Sequence, residues 1–220
     1  FAHYVFYGAI NGLHVRPSRR ERLARNPCAS SKPRCLATVA MVKNEADIIE
    51  LFASHALALF DVIVIVDHQS NDGTEAFLAE LERRFAQVQV LTLREPSYIQ
   101  SVTMTHVLRN SSKLWRADWV FFLDADEFLP FQNRAELCDA LHPYASCPVI
   151  SFQWKNIIPS EYGNYTSDEY SAKSYLFPPL PSQIRKIAIQ PSKLAIDRVV
   201  VAQGNHAILE TLNGFEFDAA

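Results

Sequence analysis

Short apolar runs alternate with amphipathic segments along most of the chain. The runs at 35–42, 62–66, 88–93 and 119–123 have the length of strands, and every residue of 62–66 is Val or Ile. That composition is typical of a strand buried on both faces. The segments between these runs are predicted helices, at 46–59, 74–85 and 101–109. Strands and helices that alternate in this way indicate βαβ units, so the sequence predicts an α/β fold with a mostly parallel sheet.

The later part of the chain has a weaker pattern. Helical spacing returns at 135–141, and apolar runs of strand length occur at 149–154, 184–189 and 199–201. Residues 156–183 are rich in Tyr, Ser and Pro and show no period. A segment of that length without periodicity is typical of a functional loop or a lid.

The pattern divides the chain into three parts. Residues 1–35 contain a basic stretch without clear period and predict a partly extended lead-in. Residues 36–130 form the regular half of one domain, and residues 131–220 form its smaller second half, which is compatible with truncation. The chain begins with Phe rather than Met, which is compatible with a fragment of a longer protein.

Composition and charge exclude several classes of partner. The net charge of −3 gives no electrostatic case for nucleic acid, and no apolar run approaches the ~18–20 residues of a membrane span. The four cysteines lack the C-x-x-C spacing of zinc or redox sites. A chain of 220 residues does not need disulfides, so we expect free thiols and a reducing, cytoplasmic environment, with membrane association only through parts outside this chain.

The sharpest chemical signal is Asp124-Ala125-Asp126, which directly follows the apolar run 119–123. Ligands of open parallel sheets bind outside the carboxyl ends of the strands. Alternation along an extended chain sends the two carboxylates to one side, where a hard divalent cation can join them to a diphosphate. The structural alternative is that both aspartates cap the following turn. An EF-hand loop does not fit, because its sixth position requires Gly and is Leu129 here.

Two further polar turns follow predicted strands. Lys43-Asn44-Glu45 follows the first run, and residues 67–74, Asp-His-Gln-Ser-Asn-Asp-Gly-Thr, follow the second. Their carboxylates could meet a nucleoside at the same edge of the sheet. Alternatively, Asp72 caps the helix that begins near Thr74, a role that its position allows equally well.

These three motifs, in this order, resemble the family-2-like glycosyltransferases. The nearest relatives are similar to the branch that opens with K-N-E, the domain-of-unknown-function-23 or family-92-like group. The resemblance covers residues 36–130 and continues more weakly at 192–207, where Gln203-Gly204-Asn205-His206 is similar to a late G-N-H element of that branch. One departure is His68, because family-2 enzymes often have an acidic pair where this chain has Asp67-His68.

The resemblance implies a GT-A fold and a metal-dependent, inverting glycosyltransferase. The donor would be a UDP- or GDP-sugar, bound in the half 36–130 with Mn²⁺ or Mg²⁺, and the acceptor a glycan or another hydroxyl compound bound in 131–220. The residues that would contact the donor are Asn44, Glu45, Asp67, Asp72 and Asp124. The residues that would hold the metal are Asp124, Asp126 and His206.

An inverting transfer also needs a carboxylate that takes a proton from the acceptor. The candidates are Asp168 and Glu169 in the aromatic loop. Arg185 and Lys186 could reach the diphosphate, or they form a solvated strand edge. Two other classes share part of the pattern. A non-catalytic domain could keep the fold and bind a nucleotide or sugar. A haloacid-dehalogenase-type phosphatase also places D-x-D after a strand, but it needs Thr or Val where this chain has Phe128.

Overall fold

The structure, a computed structural model, describes residues 5–7, 32–153, 156–159, 175–176 and 185–210. Its α-helices are α1 (Ile49–Leu59), α2 (Thr74–Arg84), α3 (Gln100–Asn110), α4 (Ser112–Trp115) and α5 (Arg134–Leu141). Its first strands are β1 (Val5–Tyr7), β2 (Leu36–Val42), β3 (Val62–Asp67), β4 (Val88–Thr92), β5 (Trp119–Phe122) and β6 (Glu127–Phe128). The later strands are β7 (Val149–Gln153), β8 (Asn156–Pro159), β9 (Tyr175–Leu176), β10 (Arg185–Ile189), β11 (Val199–Val201) and β12 (Ile208–Glu210).

A six-stranded sheet organises the fold, in the order β4-β3-β2-β5-β10-β7. The first four of these strands are mutually parallel, whereas β10 runs antiparallel to both β5 and β7. The prediction of a mostly parallel sheet is therefore confirmed. The order β3-β2-β5 also brings the carboxyl ends of three strands side by side, and each of the three is followed by one of the polar turns.

The central strands alternate between two hydrophobic cores. In β2, Leu36, Ala40 and Val42 pack into one core, while Ala37 and Val39 pack into the other. β3 and β5 divide their residues between the two cores in the same way. Successive side chains of a strand point to opposite faces, and both faces of this sheet are covered. This double burial explains why the three strands read as continuous apolar runs.

Helices cover both faces of the sheet. α1, α2 and α5 contribute Phe52, Leu78 and Leu137 to one core, and α3 contributes Met104 and Leu108 to the other. No helix in the part of the chain that the structure describes is long and apolar enough to cross a membrane.

The predicted elements of the regular half are observed with ends that shift by three residues at most. The largest shift is at α1, which begins at Ile49 rather than at residue 46 because residues 45–48 form a turn. The pattern did not predict β1, which pairs parallel with β6 and antiparallel with β8. The predicted loop 156–183 also contains β8 and β9, which pair with each other. Strands of two to four residues are too short to produce a readable period.

His55 fixes the chain just beyond β6. Its Nε2 accepts a hydrogen bond from the Leu129 amide at 3.0 Å, and its ring packs against Phe128 with centroids 5.4 Å apart. An Nε2 that accepts must be unprotonated. Burial lowers the pKa of His55 to about 4, in agreement with that role.

We predict an acid-sensitive contribution of His55 to stability. Between pH ~6.5 and the folded-state pKa of about 4, the unfolded chain binds a proton that the folded chain does not, so stability falls as pH falls. Between pH 7 and pH 5, the free energy of unfolding should fall by roughly 1–2 kcal/mol more in the unmodified protein (the parent) than in His55→Gln. Urea unfolding at the two pH values measures this difference. His142→Gln, at an exposed histidine, is the matched control. An equal loss of stability in all three proteins would contradict this role for His55.

Candidate functional site

A cavity of about 290 Å³ lies at the carboxyl edge of the sheet. It opens where β2, β3 and β5 end, and it is bordered by the turns that follow these strands. Its lining residues are Met41, Val42, Lys43, Glu45, His68, Tyr98, Asp124, Ala125 and Asp126. The cavity therefore stands where an open parallel sheet places its ligands, and the sequence-predicted residues Glu45, Asp124 and Asp126 all border it.

Asp124 is oriented by donors from three other segments. Its Oδ2 accepts from Lys186 Nζ at 2.7 Å, and its Oδ1 accepts from Gln100 Nε2 at 3.0 Å and from Asn205 Nδ2 at 3.1 Å. Its amide donates to Glu127 Oε2 at 3.0 Å. Each oxygen of Asp124 thus receives a nitrogen donor, while the side chain stays 31% exposed on the cavity side. The carboxylate is held in one orientation before any ligand arrives.

Lys186 is the cation of this cluster and is buried. Its ammonium lies 2.7 Å from Asp124 Oδ2 and 2.9 Å from Glu127 Oε1, with its side chain 2% exposed. Burial opposes the charge on Lys186, but Glu127 and Asp124 raise its pKa above the ordinary value, so the group is an ammonium. Burial and the charge of Asp124 raise the pKa of Glu127, against the opposing effect of Lys186. Lys186 therefore neutralises carboxylates; it is buried rather than at a solvated strand edge, and it is not among the residues that line the cavity.

Asp126 and Glu45 face the cavity in a region of concentrated negative charge. Burial, and then repulsion by Asp126, Asp47, Asp72 and Asp124, together raise the pKa of Glu45 to about 7. Among the described residues, no group of three or more His, Cys, Asp and Glu side chains is placed to bind a metal. The described part of the chain therefore offers hard oxygen ligands at this edge without a complete coordination shell.

The other two predicted turns are joined to each other. Asn44 Oδ1 accepts from the Asn71 amide at 2.9 Å, and the Asn44 amide donates to Ser70 Oγ at 2.9 Å. Asp72 accepts from the Ala46 amide at 3.0 Å and from the hydroxyl of Thr74 at 2.7 Å. These contacts fix the backbone beneath the cavity, and neither Asn44 nor Asp72 is among its lining residues.

Asp67 lies in the same network. It is 6% exposed, and its Oδ1 accepts from the Ser70 amide at 3.1 Å, so it closes the turn that follows β3. Asp67 is also absent from the cavity lining. The structure thus gives Asn44, Asp67 and Asp72 contacts within the protein, and their predicted contacts with a donor stay predictions.

His68 and Tyr98 form one wall of the cavity. His68 Nε2 donates to the carbonyl of Glu95 at 2.7 Å, and its ring centroid lies 6.5 Å from that of Tyr98. Tyr98 is 64% exposed and presents an aromatic face beside the carboxylates. The departure at His68 therefore brings an imidazole to a position where the family often has a carboxylate.

The turn formed by residues 203–206 closes the other side of the Asp124 cluster. Gly204 has φ +75°, and a Cβ built on it would lie 2.4 Å from His206 Nε2, so only glycine fits. The Gly204 amide donates to Gln100 Oε1 at 2.8 Å, and Asn205 is fully buried. His206 Nδ1 donates to the Arg185 carbonyl at 2.9 Å, which leaves Nε2 as the basic nitrogen. Burial, and then the charge of Lys186, lower the pKa of His206.

Sequence reasoning located the cavity edge but did not predict the contacts that organise it. Gln100, Lys186 and Asn205 reach Asp124 from 24, 62 and 81 positions away in the chain. Lys186 was a candidate for the diphosphate, the G-N-H element drew attention to His206 rather than to its neighbour Asn205, and Gln100 had no signal. The predicted bases Asp168 and Glu169 lie outside the described residues.

Comparison with known proteins gives the family. The family model described as glycosyl transferase family 2 matches residues 38–195. No curated protein matches the chain. A similar solved structure is the mannosyltransferase PcManGT from Pyrobaculum calidifontis in complex with GDP-Man and Mn²⁺, at 20% identity and a TM-score of 0.41 over 56% of this chain. This chain covers 37% of that protein. The family match agrees with the observed sheet and confirms the predicted GT-A fold, and the chain belongs to glycosyl transferase family 2.

Proposed function

We propose that this chain binds a nucleotide-diphosphate sugar at the 290 Å³ cavity and transfers its sugar to an acceptor hydroxyl. The observation that carries the proposal is the convergence of Glu45, Asp124 and Asp126 on this cavity, at the carboxyl edge of a family-2 fold. The donor is a UDP- or GDP-sugar, and the acceptor is a glycan or another hydroxyl compound. The K-N-E branch is the subgroup that we propose within the family.

Charge in the cavity argues for a divalent metal. A diphosphate is anionic, and the same cavity already holds carboxylates, among them Glu45, whose pKa is raised by burial and by repulsion from the neighbouring aspartates. The two would repel each other unless a cation joined them. Mg²⁺ and similar cations bind proteins through one or two carboxylates and take their remaining ligands from phosphates and water. The incomplete oxygen set at this edge fits such a cation.

Asp126 is the residue that we propose as a direct metal ligand, with Mn²⁺ or Mg²⁺ as the metal. Asp124 would contact the ribose or the metal from the neighbouring position. His206 would be the late ligand, because its Nδ1 is committed to the Arg185 carbonyl and its Nε2 is the basic nitrogen. Glu45 would face the nucleoside.

Transfer requires one bond to form while another breaks. The acceptor oxygen attacks the anomeric carbon, and the bond from that carbon to the diphosphate oxygen breaks, with its electron pair remaining on the diphosphate. Asp126 and His206 would hold the cation, which would supply Lewis-acid stabilisation of that developing charge. A carboxylate takes the proton of the acceptor hydroxyl, and Asp168 and Glu169 are the predicted candidates. Attack from the face opposite the leaving group gives inversion, which is the stereochemistry we propose.

Asp126→Asn should remove metal-dependent nucleotide binding while the protein stays folded. We expect the Kd for UDP or GDP in Mn²⁺ to rise by at least ~10–100-fold, the loss that even an outer-sphere change causes at metal sites. Calorimetric titration with each nucleotide, with Mn²⁺ and with EDTA, measures it. Asp197→Asn, at an exposed aspartate, is the matched control. Nucleotide affinity that is indifferent to both EDTA and Asp126→Asn would exclude the metal-bridged site.

Metal-nucleotide affinity should rise with pH through the pKa of Glu45. In the unbound protein that pKa is about 7, and a cation that neutralises Asp126 favours ionised Glu45, so binding releases a proton. We expect affinity for Mn²⁺-nucleotide to rise ~10-fold from pH 6 to pH 8 and Glu45→Gln to flatten the rise. The same slope in parent and Glu45→Gln would remove Glu45 from the site.

His206→Ala tests whether the 203–206 turn supplies a metal ligand. We expect Mn²⁺ binding in the presence of nucleotide to weaken ~10–100-fold at pH 8, since a ligand is lost and not merely a charge. His106→Ala, at an exposed histidine of α3, is the matched control. Binding equal to that of the parent would leave His206 as a structural residue that only supports the turn.

A further inference from the structure

A single buried ammonium group joins three segments beside the cavity. Lys186 Nζ lies 2.7 Å from Asp124 Oδ2, 2.9 Å from Glu127 Oε1 and 2.8 Å from the carbonyl oxygen of Gly204. These oxygens belong to the end of β5, to β6 and to the 203–206 turn. Lys186 itself stands in β10, which pairs with β5. The lysine thus holds the D-x-D segment and the late turn in one arrangement.

The surroundings of this ammonium resemble those of a bound metal ion. Three oxygens converge on Nζ, and two of them are carboxylate oxygens. The lysine side chain is 2% exposed and that of Glu127 is 4% exposed, so water contributes little to either group. Buried carboxylates are poorly stable without a cation, and here the chain supplies that cation itself.

We propose that Lys186 is a positioning residue that takes the place of a metal between Asp124 and Glu127. A divalent cation on Asp124 Oδ2 would stand next to the ammonium and be repelled by it. Of the two roles proposed for Asp124, the contact with the ribose therefore remains, and the cation is left with Asp126, His206 and the oxygens of the incoming diphosphate. This inference rests on the proposed function, and it adds that metal loading requires the nucleotide.

The other hydrogen bonds of Asp124 also support the proposal that groups of the chain, rather than a metal, hold this carboxylate. Gln100 and Asn205 donate to Oδ1, on the other side of the carboxylate from Lys186. Gln100 Oε1 in turn accepts from the Gly204 amide at 2.8 Å, so the residues that orient Asp124 also orient the turn that carries His206. Both oxygens of Asp124 are therefore occupied by donors of the chain itself.

Lys186→Ala tests the proposal in the absence of nucleotide. The substitution leaves the three oxygens without their ammonium and opens room for an ion. Mn²⁺ alone should then bind at least ~10-fold more tightly than to the parent, because affinity at such sites follows the number of charged ligands. Lys113→Ala, at an exposed lysine of α4, should bind Mn²⁺ as the parent does. Adding Asp124→Asn to Lys186→Ala should abolish the gain.

Two outcomes would overturn the proposal. The first is a folded Lys186→Ala protein that binds Mn²⁺ no more tightly than the parent. The second concerns a Lys186→Ala protein that is unfolded in metal-free buffer: Mn²⁺ should restore its far-ultraviolet circular dichroism, and no recovery would be the contrary result. Because no nucleotide is used, either failure is distinct from a failure of the proposed glycosyl transfer, which the Asp126→Asn titration reports.

Discussion

The burial of β2, β3 and β5 on both faces is the constraint on which the rest of the structure depends. A strand with no exposed face can place charged groups only at its ends, and the parallel arrangement brings three such ends to one edge. This constraint explains why Glu45, Asp67 and Asp124 stand at or just beyond the ends of strands. The cavity and its negative charge are consequences of how the sheet is buried.

The carboxyl groups at this edge of the sheet are stabilised in two different ways. Within the protein, Lys186 compensates Asp124 and Glu127, and backbone amides and hydroxyls compensate Asp67 and Asp72. On the cavity side, Glu45 keeps a proton at neutral pH more readily than an ordinary glutamate, because burial and Asp126 oppose its ionisation. Contacts within the protein thus compensate Asp67, Asp72, Asp124 and Glu127, while burial and neighbouring charge disfavour ionisation of Glu45.

The floor of the cavity is held by hydrogen bonds, whereas one of its walls is exposed. Hydrogen bonds made by Asn44, Ser70, Asn71 and Asp72 join the turns after β2 and β3, so the floor of the cavity is preorganised. Tyr98, by contrast, is 64% exposed and packs only loosely against His68. A preorganised floor lowers the entropic cost of binding a nucleotide, and an exposed ring leaves the wall free to adjust to it.

The sequence by itself determined the sheet and the edge that carries the site. Its runs of Val, Ile and Phe could only be buried strands, so the positions of Glu45, Asp124 and Asp126 at strand ends were readable from periodicity alone. Only the tertiary structure decided what each carboxylate contacts. Gln100, Lys186 and Asn205 are distant in sequence from Asp124, and a buried lysine has the same local pattern as an exposed one. Periodicity shows which face of an element is buried. Ion pairs between elements depend on how those elements pack against each other, and the sequence pattern within one element does not contain that information.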